Sequence, residues 1–127
     1  MQTTISYTLD GIDFVAKAAA TRRTLAGRVT TLVSAQALED AELEIAVQLV
    51  EVDARGPEAF TFMRKQAGYG AERLGRLFGV SKKTVLRWSN GESPVPIAVL
   101  HIVREMVREK RAGRRTTIRK LEELGAA

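Results

Sequence analysis

The chain has no cysteine, a single histidine and only three prolines among 127 residues. Without cysteine it has no disulfide and no thiolate zinc site, and it suits a reducing compartment. One histidine, His101, excludes a multi-histidine metal centre. No apolar run approaches the roughly 20 residues that cross a bilayer. The opening MQTTISYTLDG lacks the basic and apolar regions of a secretory signal. The cytoplasm is therefore the expected location. No nucleophile sits beside a base, and no strand leads into the glycines as it would in a phosphate loop. No catalytic residue, metal or cofactor is expected.

Charge is abundant and unevenly placed. Residues 1–55 hold five Lys/Arg and eight Asp/Glu, a balance of −3, whereas residues 56–127 carry +8. One half suits an anionic partner and the other does not. A break at the DARGPE stretch falls at the same place, with Gly56 ending one element and Pro57 suited to the first turn of the next. The expected division is residues 1–55 as a small β-rich lobe with a covering helix, and residues 56–127 as a helical domain with a basic tail.

The first half opens in alternation. Ile5, Tyr7 and Leu9 share one face and Thr4, Ser6 and Thr8 the other, before Asp10-Gly11 supplies a two-residue hairpin turn. The return strand groups Ile12, Phe14, Ala16 and Ala18. Two weaker runs, Thr21 to Leu25 and Arg28 to Val33, extend the expectation to an antiparallel meander of three or four strands, with a core around Ile5, Tyr7, Phe14 and Leu25. Such a sheet needs a cover. A helix from Ala35 to about Val52, capped by Ser34, presents Leu38, Ala41, Ile45, Leu49 and Val52 at helical spacing. Its acids Glu39, Asp40, Glu42 and Glu44 read as a solvated face favourable to the helix dipole.

The second half reads as helices. Glu58 to Ala67 comes first, ended by Gly68 and Gly70. Ala71 to Phe78 follows, with Ala71, Leu74, Leu77 and Phe78 inward. Gly79-Val80 turns the chain, Ser81 caps a helix from Lys82 to Ser89, and Asn90-Gly91 stops it. Beyond Pro94 and Pro96 a further helix runs to about Arg111, burying Val99, Ile102, Val103 and Met106. The basic tail REKRAGRRTTIRK can grip a DNA backbone or keep the chain soluble, and a last short helix is expected from Thr117 to Leu124. His101, beside Glu105 and Arg108, reads as a surface histidine. The fold class is thus α+β: a small N-terminal β-meander plus helix, then four or five helices.

Two helices of about eight residues joined by a tight glycine turn form a helix-turn-helix, whose second helix enters the DNA major groove. Gly75 suits a close crossing. Val80, Val85 and Trp88 offer the second helix a buried anchor, leaving Lys82, Lys83, Leu86 and Arg87 on its free face. Arg87 can hold a guanine through O6 and N7, the two lysines can reach guanines or phosphates, and Leu86 can meet a thymine methyl. Arg73, Ser81, Thr84 and Asn90 are placed for the phosphate backbone, which sets register without reading sequence.

The stretch FMRKQAGYGAERLGRLFGVSKKTVLRWSNGESPVP resembles the Xre/Cro-type helix-turn-helix, with its basic first helix followed by GVS, TV, RW and NG. The resemblance covers residues 58–108 and implies a homodimeric transcriptional regulator, a repressor, bound to an inverted repeat in double-stranded DNA. Ala71 stands where that family often has a glutamine, and Ser89 where a glutamate often follows the tryptophan. Across the whole chain the layout is also similar to the MqsA-type (YgiT) antitoxins, in which a small β-rich lobe and a helix precede the same DNA-binding domain. Their zinc cysteines are absent here, so no metal carries over. This second resemblance implies the alternative function of an antitoxin that binds a protein toxin through the N-terminal lobe and represses its own operon.

Overall fold

The computed structural model describes the backbone of residues 1–126 and their side chains except those of 115–122 and 125–126. The element order is β1 (Gln2–Leu9), β2 (Ile12–Ala19), β3 (Thr21–Leu25), β4 (Arg28–Leu32), α1 (Ala35–Glu51), α2 (Pro57–Gln66), α3 (Ala71–Phe78), α4 (Lys82–Ser89) and α5 (Ile97–Ala126). The class is α+β, as the periodicities imply.

β1 and β2 pair antiparallel from Leu9↔Ile12 at the turn to Gln2↔Ala19 at the open end. Alternation sends Leu9, Phe14 and Ala18 into the core, and β2 packs on α1. Gln48 on α1 donates to the Val15 carbonyl at 2.7 Å, and the Tyr7 ring meets Phe62 of α2 edge-on at 5.1 Å. The tip of the hairpin has a second task. Asp10 accepts hydrogen bonds from the Glu58 and Ala59 amides at 3.1 and 2.9 Å, and its own amide donates to the Glu58 carboxylate. Gly56, the residue before α2, offers no side chain for a cap. The hairpin supplies the cap instead, satisfying amides that the helix itself leaves unpaired.

Three corrections to the expected first half follow. The four strands do not form one meander: β1–β2 and β3–β4 are separate two-stranded sheets. Leu25, expected in the core, is 52% exposed, and Ile12 of the return strand is 59% exposed. The hairpin that carries Leu25 packs on no other element beyond slight contacts. The acids of α1 are not a plain solvated face, and none lies in its first turn. Asp40 pairs with Arg114 and Glu44 with Arg111, while Glu42 accepts from Tyr7 at 3.1 Å and Gln66 at 3.3 Å.

The helices share one apolar core. Ile45 and Leu49 of α1, Phe60 and Met63 of α2, Leu74, Val85, and Val103 and Val107 of α5 are all fully buried in a cluster that also takes in Leu9 and Phe14. The core therefore runs without interruption across the joint at residues 55 and 56. Arg104, itself buried, ties that joint to α5 by pairing with Asp53 at 2.7 Å and donating to the Ala54 carbonyl.

α5 departs furthest from expectation. It does not stop at Arg111 and restart at Thr117 but continues unbroken from Ile97 to Ala126, a rod of about 45 Å at 1.5 Å per residue. Arg111 and Arg114 point back to α1, pairing with Glu44 and Asp40. Ile102 is 42% exposed, not buried. The arginines and lysine of the tail beyond Arg114 lie outside the described side chains. Among the described residues, no helix is long and apolar enough to cross a membrane.

Candidate nucleic-acid interface

The geometry of α3, its turn and α4 follows from a few residues. α3 ends at Gly79, whose φ of 68° and ψ of 30° are left-handed and cheap only for glycine. The chain folds back so tightly that a Cβ on Gly75 would lie 2.7 Å from the Val80 carbonyl oxygen. A side chain there would push the turn off α3. The Val80 amide closes the turn onto the Gly75 carbonyl at 2.9 Å. Ser81 then caps α4, its Oγ accepting from the Thr84 amide at 3.1 Å, with the two hydroxyl oxygens 3.0 Å apart.

Val85 and Trp88 seat α4. Both are buried, and the indole meets Phe60 edge-on at 6.2 Å. With 100° per residue these two positions define one side of the helix, and Lys82, Lys83, Leu86 and Arg87 fall on the other. All four are exposed. No carboxylate pairs with Lys82, Lys83 or Arg87 among the described residues. Two lysines in the first turn also sit against the positive end of the helix dipole, with no acid there to offset them.

The remaining expected contact residues fall around this face with differing freedom. Asn90 is exposed at the end of α4, although Gly91, at φ 77°, takes the left-handed position. Ser81 and Thr84 spend part of their hydrogen-bonding capacity on the cap. Arg73 is exposed but leans over the Tyr69 ring, 4.3 Å from its centre. Leu77, expected inward, is instead 55% exposed on α3.

One residue of this region was not anticipated. Arg64 is only 5% exposed, wedged between α2, the loop before α3 and the end of α4. Its Nε donates to Ser89 Oγ at 3.2 Å and its Nη1 to the Tyr69 carbonyl at 3.4 Å. Neither partner is charged, and burial pulls the guanidinium below arginine's ordinary pKa. A signal existed in the sequence: Arg64 lies four residues after Phe60, on the apolar stripe of α2. Its likeness to the exposed arginines nearby concealed it.

Two other features do not compete as sites. A cleft of about 430 Å³ between α1, α2 and α5 is lined by Glu39, Asp40, Glu42, Lys65, Lys110 and Arg114, charges that sum to zero, with Asp40 and Arg114 paired. No group of three or more His, Cys, Asp or Glu among the described residues can hold a metal ion.

No protein-family model matches the chain, and neither a curated protein nor a solved structure matches it.

Proposed function

We propose that the protein is a sequence-specific DNA-binding transcriptional regulator that reads the major groove with α4. The observation that carries this is the division of that helix: Val85 and Trp88 are buried in the core, while three exposed cations on the opposite side have no carboxylate among the described residues. A groove-reading helix needs both a rigid seat and cations that no carboxylate on the same chain neutralises. Lys82, Lys83, Leu86 and Arg87 are the base-reading set, with Arg73, Ser81, Thr84 and Asn90 toward the phosphates. As a homodimer, the protein would present two such helices about 34 Å apart, matching an inverted repeat.

The antitoxin alternative, implied by the MqsA-type resemblance, would have the acidic N-terminal lobe face a basic toxin. Asp40 and Glu44 are instead paired with Arg114 and Arg111 of the same chain, so that reading gains no support from charge.

A footprint of the purified protein on the DNA upstream of its own gene tests the proposal. Arg87→Ala is expected to lose about 1–3 kcal/mol of preference for the protected site over unrelated DNA. Preference unchanged in that variant would remove Arg87 from its role.

A further inference from the structure

The β3–β4 hairpin is built from TRRTL and RVTTL around an Ala26-Gly27 turn. Its strands pair with each other from Thr21↔Leu32 to Leu25↔Arg28, and neither packs on another element beyond slight contacts. Every residue of β3 is exposed. The hairpin is therefore an arm, about 16 Å long at 3.3 Å per residue, rooted where α1 begins.

Its charge is of one sign. Between Asp13 and Glu39 the chain has no carboxylate, and Arg22, Arg23 and Arg28 all lie on the arm. None of the three forms an ion pair or side-chain hydrogen bond among the described residues, whereas Arg104, Arg108, Arg111 and Arg114 of α5 each meet a carboxylate. The register distributes the arm's cations over both faces: Arg23 and Arg28 stand on one, Arg22 on the other, each face also carrying threonine hydroxyls.

We infer that this arm is a second DNA-binding element, which grips phosphates outside the stretch read by α4. The inference rests on the DNA-binding reading of α4 and adds a separate surface to it. Three observations select the occupant. Cations on both faces fit a groove walled by phosphates on either side, and the major groove admits a two-stranded ribbon. A flat acidic protein surface would meet only one face. A second copy of the arm would be repelled by the same charges, and Leu25 and Val29 stand on opposite faces, leaving no apolar stripe to overcome that repulsion. Distance separates the two elements. The turn of the first hairpin touches the start of α2, close to the end of α4 through Thr61 and Ser89, whereas the arm leaves from the far end of β2, about 26 Å away.

The test is a salt titration of the full chain against its own upstream duplex and an unrelated duplex. Wild type is compared with the triple variant Arg22→Gln/Arg23→Gln/Arg28→Gln, with the lysine triple at the same positions, and with Arg87→Ala. Removing three cations from the phosphates should lower the slope of log affinity against log salt by about 2–3. The glutamine triple is expected to bind both duplexes at least about tenfold more weakly at low salt, with preference and melting temperature unchanged. The lysine triple keeps the slope, and Arg87→Ala changes preference instead. If the glutamine triple matches wild type on duplexes that wild type binds, the arm does not hold DNA and the inference is overturned. If wild type binds neither duplex at low salt, the DNA reading of α4 fails, and this inference with it.

Discussion

The two hairpins have nearly the same backbone and opposite fates. Each turns through two residues with φ near 51° and 77°, Asp10-Gly11 in one and Ala26-Gly27 in the other. Each is entered from a leucine. Leu9 is 8% exposed and Leu25 is 52% exposed. The difference lies in what the inward positions carry. The first hairpin has Tyr7, Phe14 and Ala18 on one side and a carboxylate at its tip, so it has apolar surface to bury and amides to cap. The second, TRRTL and RVTTL, carries arginines and threonines on both faces and has no apolar face or tip carboxylate of that kind. Strand pairing is a local matter of alternation and turn residues, whereas docking depends on what the strands can bury.

Substitutions at equivalent places should separate the two. The largest effect belongs to Phe14→Ala, expected to cost about 3–4 kcal/mol in denaturant unfolding. A loss below about 1 kcal/mol would mean that the first hairpin is not held against α1. Asp10→Gly keeps the turn conformation and removes both acceptors for the start of α2, at a cost of about 1–2 kcal/mol. The matching Ala26→Gly relieves an alanine held at a left-handed φ of 51° and should stabilise by about 1 kcal/mol rather than destabilise; a loss like that at Asp10 would erase the contrast. A smaller effect concerns pH. Burial first, and the hydrogen bond to Glu42 second, raise the Tyr7 pKa above the ordinary tyrosine value. The fold thus favours the neutral phenol, and this contribution is complete below pH of about 10 and lost as pH rises toward the higher folded value. Thermal melts of wild type should therefore fall off more steeply above that pH than those of Tyr7→Phe. Parallel curves would show that the phenol is not protected. Smallest of all is Val29→Thr on the arm, where no change in melting temperature is expected. A clear drop would place the arm against the body.

How much of this was legible depended on distance along the chain. Asp10-Gly11, Ser34, Ser81, Gly79 and Gly75 each act on residues at most six positions away, and each was read in its place. The seat of α4 was read as well, because Val85 and Trp88 lie on one side of a single short helix. What escaped were long-range pairings. Asp10 reads as a turn residue and is also a helix cap 48 residues away. α5 reads as ending near Arg111, yet Arg111 and Arg114 reach Glu44 and Asp40, 67 and 74 residues back. The two weaker runs likewise point to β3 and β4 as strands, but not to their forming a sheet of their own. Arg64 was hidden differently, since a buried guanidinium and a DNA-facing one are the same letter.

Because Asp10 seals the start of α2, the helical half is not a detachable cassette. During synthesis the hairpin tip emerges well before the amides it serves, and the seal closes only once α2 exists. A fusion that joins foreign sequence directly ahead of Gly56 would leave those amides bare, at the base of the helix on which Trp88 rests. Any chimera meant to transplant α4 should therefore bring the first hairpin along.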